Sequence, residues 1–155
     1  MPGFAPLGGA PLGGSLVSQL YVYLYPDGDD LDGGWTDQDG GPDLYAAVDE
    51  AVASDLDYIK SSITPVNDIC RMTLSNPGGP ITEPFEIFYR YGKDINTDTI
   101  DLYFRLKELT NTRASWSHLN VSVGFTDGLY TLTTPEFLSI GNMDDLLIEI
   151  EADVP

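Results

Sequence analysis

The 155-residue chain carries 25 acidic and seven basic side chains, a formal charge of −18, and its pI is near 4.1. That balance argues against nucleic acid and anionic membrane as partners, because both are held through Lys and Arg. It suits a surface bathed in salt, where screening makes self-repulsion tolerable, while a hydrophobic share of 42% and this length predict one domain with a sizeable core.

Residues 1–15 stand apart. Ala5-Pro6-Leu7-Gly8-Gly9 is repeated at once as Ala10-Pro11-Leu12-Gly13-Gly14, and Phe4 precedes both. Proline fixes φ and glycine permits positive φ, so neither a regular helix nor a central strand is expected here. A plain flexible tail is one reading. The other is an arm that orders against a partner, since a solvated linker is normally rich in Ser, Lys or Glu. Phe4, Leu7 and Leu12 are then the anchors, each contributing about 1.5–3 kcal/mol if fully buried. Pro6 and Pro11 limit the freedom lost on ordering.

Gln19–Tyr25 alternates Leu20, Val22 and Leu24 with Tyr21, Tyr23 and Tyr25, the period of a strand. Asp27 to Asp43 reads as a long acidic, glycine-rich loop interrupted by Trp35, and no Lys or Arg occurs before Lys60. Leu44 to Val52 predicts two helical turns with Leu44, Val48 and Val52 on one face and Asp43 as N-cap. Asp57-Tyr58-Ile59 is a short extended piece. Further strands are expected at Asp68–Leu74, Phe85–Tyr91, Ile100–Lys107, Arg113–His118, Leu119–Val123 and Gly128–Leu132, the last following a turn at Thr126-Asp127-Gly128. Thr134-Pro135-Glu136 opens a short helix through Ile140, with a hydroxyl cap, proline at the first position and Gly141 as the stop. Asp145–Glu151 is the final strand. Strands with one apolar face must bury it against a second sheet. The fold class predicted is all-β: a single antiparallel β-sandwich, jelly-roll-like, with one or two short helices and the extended arm. The division is 1–15 arm and 16–155 sandwich.

Chemistry-bearing groups are sparse apart from the carboxylates. Cys70 is the sole cysteine and sits in an apolar strand, so it is expected to serve as a small core residue. His118 is the sole histidine, and no nucleophile elbow accompanies it. Two carboxylates for glycoside hydrolysis mean little among 25 acids. Asp27-Gly28-Asp29-Asp30-Leu31-Asp32 is the best calcium candidate, but Leu31 holds the fifth position and no glutamate holds the twelfth, so a solvated loop is the better expectation. No catalytic residue, metal ligand or cofactor is assigned. Tyr21, Tyr23, Tyr25, Trp35 and Trp116 could form a sugar-stacking platform, although strand aromatics more often pack into cores. The N-terminus lacks the basic region of a secretory signal, and no run approaches the ~18 apolar residues of a membrane span. A chain made and kept in a soluble compartment is expected.

Leu44-Tyr45-Ala46-Ala47-Val48-Asp49-Glu50, Asp57-Tyr58-Ile59, Phe88-Tyr89-Arg90-Tyr91-Gly92-Lys93, Ile100-Asp101-Leu102, Ala114-Ser115-Trp116, Tyr130-Thr131-Leu132-Thr133 and Met143-Asp144-Asp145-Leu146 form a series of hydrophobic and turn patterns, together with the Phe4-Ala5-Pro6-Leu7-Gly8 opening. On these, from about Trp35 to Ala152, the chain resembles a β-sandwich module of tailed-bacteriophage structural proteins. The resemblance implies a non-enzymatic virion protein made in the host cytoplasm and placed on the outer surface of the particle. The expected role is capsid decoration, as cement or spike, with the arm on the major capsid protein or another virion subunit. A homo-oligomer, by analogy with lattice threefolds a trimer, goes with that role. The alternatives are a tail, connector or fibre-associated structural protein, or a module binding host-surface glycan or another receptor.

Overall fold

The computed structural model describes residues 22–50, 52, 54–82, 84–94 and 98–155. In chain order the strands are β1 (Pro26–Leu31), β2 (Thr36–Asp37), β3 (Ile59–Lys60), β4 (Asp68–Leu74), β5 (Glu86–Lys93), β6 (Asp101–Glu108), β7 (Asn111–His118), β8 (Gly124–Thr131) and β9 (Leu146–Asp153). Among the described residues one helix, α1 (Thr134–Leu138), and two 3-10 turns, Tyr45–Ala47 and Met143–Asp145, complete the elements. A five-stranded sheet runs β1-β4-β9-β6-β7. β5 and β8 form a separate ribbon, β2 and β3 a small second one, and the strand ladders are antiparallel. The fold is all-β, as expected.

Period-two alternation decides which side of the large sheet is apolar. Cys70, Met72, Leu102, Phe104, Leu106, Ile148 and Ile150 face the β5–β8 ribbon and build two adjoining clusters. Trp35, Leu44, Met72 and Phe104 belong to one; Phe85, Leu106, Leu132 and Leu146 belong to the other. Cys70 is fully buried, and burial pushes its thiol up to about 12, so it stays protonated and packs as a small apolar side chain.

The opposite side carries charge in register. Glu149 lies across from Arg71 on β4 and Arg105 on β6. Arg105 donates to Glu149 at 2.9 Å and to Glu151 at 2.7 Å, and Lys107 donates to Glu149 at 3.0 Å. Opposite charges facing one another across strands stabilise a sheet. Burial opposes ionisation of Glu149, but the Lys107 and Arg105 hydrogen bonds outweigh it and hold the carboxyl below the usual range.

Several local expectations are corrected. Val22–Tyr25 lies outside any strand, whereas the acidic stretch read as loop supplies β1; Gln19, Leu20 and Tyr21 lie outside the described residues. Aspartate disfavours strands, yet Pro26–Leu31 gains the antiparallel ladder of β4, and its side chains find partners. Asp29 accepts from the Leu44 and Tyr45 amides at 3.0 and 2.9 Å. The same contacts explain why Leu44–Val52 is not a two-turn helix. Asp43 caps nothing there; Asp29, from a neighbouring strand, holds the start of a single 3-10 turn. Thr126-Asp127-Gly128 is no turn either. It sits mid-strand in β8, opposite Tyr91, Arg90 and Tyr89, and Leu119–Val123 before it is not a strand.

The short helix forms one residue earlier than expected. Thr133, not Thr134, is the N-cap: its amide and hydroxyl donate to Glu136 at 2.8 Å each, and it accepts from the Glu136 amide in return. Thr133→Ala is expected to lower stability by about 1 kcal/mol, read as a lower urea midpoint with an unchanged m-value.

Candidate functional site: an aromatic cleft between the sheets

The β5–β8 ribbon covers only part of the large sheet's apolar side. Between them lies a cleft of about 1350 Å³, far larger than the voids of a packed interior. Its floor includes Met72, Phe104, Leu106 and Trp116, and its roof includes Ile87 and Tyr89.

Strand geometry assembles the rings. Tyr89 and Tyr91 are two apart on β5, as are Trp116 and His118 on β7, so each pair shares a face. Phe104 is the cross-strand partner of Trp116. The Tyr89 ring centroid lies 4.8 Å from Phe104, 5.9 Å from Trp116 and 5.8 Å from Tyr91. Trp116 stacks on Tyr130 at 4.3 Å, and Tyr91 stacks on His118 at 3.9 Å. Gly128 makes room for the roof: a Cβ there would stand 2.3 Å from the Tyr89 ring.

Several groups of the cluster can titrate. The Tyr89 hydroxyl and His118 Nε2 share a hydrogen bond of 2.7 Å. Burial raises the Tyr89 pKa and lowers that of His118, so both are neutral at pH 7. Tyr130 is pushed up to about 12, first by burial and then by Glu136, to which it donates at 2.8 Å. These shifts keep the cluster uncharged, which fits apolar contact better than proton transfer near neutrality. The Trp116 indole N–H is buried with no well-aligned acceptor among the described residues.

The residues expected to form the docking arm, Phe4, Pro6, Leu7, Pro11 and Leu12, lie outside the described residues, and Tyr21 with them. The remaining members of the sugar-stacking set, Tyr23, Tyr25, Trp35 and Trp116, all line the cleft. Trp35 is buried and donates to the Asp68 carbonyl at 3.0 Å; Trp116 lies in the cleft floor; Tyr23 and Tyr25 stack on each other at 6.3 Å. Asp27 to Leu31 lie in strand β1, and Asp32 follows it. Asp27 accepts from Thr73 at 2.7 Å, Asp29 holds the 3-10 turn, and Asp30 lies 3.4 Å from Arg71. Among the described residues no cluster of three or more side chains fit to hold a metal is found. Sequence reasoning did not single out Tyr89, Tyr91, Phe104 and Tyr130 as one group. The i, i+2 spacing of Tyr89/Tyr91 and Trp116/His118 is the signal that points to it.

No family model, curated protein or solved structure matches the chain.

Proposed function

We propose that the protein is a non-enzymatic structural component of a bacteriophage particle, a decoration protein on the outside of the capsid. Its N-terminal arm seats on coat subunits while the sandwich faces solvent. The observation that carries this reading is the contrast within the chain. An uncharged repeat presenting Phe4, Leu7 and Leu12 precedes a body whose charge is −18 overall, so apolar contact is concentrated at one end.

The use of the carboxylates supports the same reading. Asp29 caps a turn, Glu136 caps α1, and Glu149 ties β4 to β9 and β6. Glu108 accepts from the Gly141 and Asn142 amides and from Arg113, at 2.8–2.9 Å. Acids bound up in this way brace a fold. The exposed remainder gives the solvent-facing charge that keeps a densely displayed protein from associating with its neighbours.

Deleting residues 2–14 is expected to leave a folded domain, by circular dichroism and unfolding midpoint, that no longer joins particles when mixed with undecorated capsids. Undiminished incorporation overturns the arm's role. Electron microscopy of gold-labelled particles checks the placement: label on heads supports decoration, and label confined to tails replaces it with a tail-associated role.

A further inference from the structure

We propose that the cleft is filled by the chain's own residues 16–21, with Leu16 and Leu20 as the inward anchors. Four observations converge on this occupant.

The first is where the described chain begins. Val22, Tyr23, Leu24 and Tyr25 already line the cleft, and Tyr25 is fastened beside β4, donating to the Ser75 hydroxyl at 3.0 Å while its carbonyl accepts from the Ser75 amide at 2.8 Å. The segment ahead of Val22 is therefore delivered to the cleft by covalent connection. Such attachment corresponds to a millimolar effective concentration for a short tether.

The second is the pattern of side chains. Leu24 packs against the cluster containing Leu106 and Leu146, and Val22 stands in the wall two residues before it. An extended chain continued backwards from Leu24 would put Leu20, Ser18 and Leu16 on Leu24's side, and Tyr21 and Gln19 on the other.

The third is the incomplete second layer. Among the described residues the β5–β8 ribbon has two strands against five. An isolated two-stranded ribbon is marginal in water, and a third strand or equivalent cover is the usual remedy. The fourth is chemical fit. Residues 16–21 carry no charged side chain, in keeping with a cleft whose centre is apolar and aromatic.

The proposal extends the functional reading without depending on it. Seating residues 16–21 fixes the root of the arm on the sandwich and leaves residues 1–14 to reach a partner.

The test is hydrogen–deuterium exchange on the full chain, read at low and high micromolar protein. Amides of residues 16–21 are expected to be protected by about 100-fold or more over an unstructured chain, equally at both concentrations. Leu20→Asp is expected to lower the urea midpoint and remove that protection, whereas Gln19→Asp, on the opposite side, changes neither. Exchange at the unstructured rate overturns the proposal. So does protection that grows with concentration alongside a dimer mass, which assigns the cleft to a second copy. Should Leu20→Asp fail to fold, the wild-type exchange decides alone. Because the 2–14 deletion retains residues 16–21, failure of the arm's docking and failure of this seat are read separately.

Discussion

Replacing Leu146 by alanine is expected to lower the unfolding free energy by about 3 kcal/mol, within the roughly 2–5 kcal/mol range of buried Leu→Ala changes. Leu146 opens β9, is 1% exposed, and belongs to the cluster of Phe85, Leu106, Ala114 and Leu132. Phe137 from α1, Ile140 just after it and Met143 from the following 3-10 turn pack on that same cluster. The truncation therefore removes dispersion contacts and loosens the cover that α1 provides. In a domain of this size the loss corresponds to a melting point lower by about 10 °C, measurable by calorimetry. A loss under about 1 kcal/mol would mean that the neighbouring side chains collapse into the space, and would contradict a rigid cluster.

Removing the carboxylate of Glu149 is expected to cost nearly as much. Its side chain is 9% exposed and meets Arg105, Lys107 and, at 3.8 Å, Arg71. Breaking a fully buried ion pair by deleting one partner costs about 3–5 kcal/mol. Here Arg71 and Arg105 are partly exposed and keep Asp30 and Glu151, so Glu149→Ala is expected to cost about 2–3 kcal/mol. The pH dependence gives an independent check. The folded-state pKa of Glu149 is depressed from its ordinary 4.5. Its contribution is thus fully present above that ordinary value and is lost as pH falls through the depressed one. Unfolding midpoints measured from pH 7 downwards should fall less steeply below about pH 4.5 for Glu149→Gln than for the unaltered chain. Parallel curves would show that the carboxylate does not stabilise the fold through its charge.

Local pattern made much of this architecture legible. Asp68–Leu74, the alternation through Phe85–Tyr91 and Ile100–Lys107, and the closing run to Glu151 correspond to β4, β5, β6 and β9. In each, successive side chains declare two faces without reference to any distant residue. The short helix was legible because Pro135, Glu136 and Gly141 act within a few positions of one another. The errors share a cause as well. Pro26–Leu31 looks like loop by composition and becomes an edge strand because β4, whose paired residues lie 40 to 48 positions away, offers it a ladder. Leu44–Val52 looks helical by spacing, but Asp29 fixes its start in a different geometry. Asp127-Gly128 looks like a turn, yet Arg90 pairs with Asp127 at 2.7 Å and the Tyr89 ring occupies the space above Gly128.

The candidate site divides the same way. Its ingredients were visible as aromatic residues two apart on strands, as was the uncharged segment ahead of Val22. Their convergence was not, because Tyr89, Phe104 and Trp116 come from three strands, one of them in a separate sheet.

By itself the sequence determined the acidic character of the protein, its predominance of antiparallel strands, the apolar side of each long strand and the core role of Cys70, since these follow from side-chain chemistry and a period of two along the backbone. Only the tertiary structure decided which strands became neighbours, that five line one layer and two the other, and that a cleft walled by rings stands between them. Pairing order depends on closing long loops and matching faces across the whole chain, and no stretch of neighbouring residues encodes that.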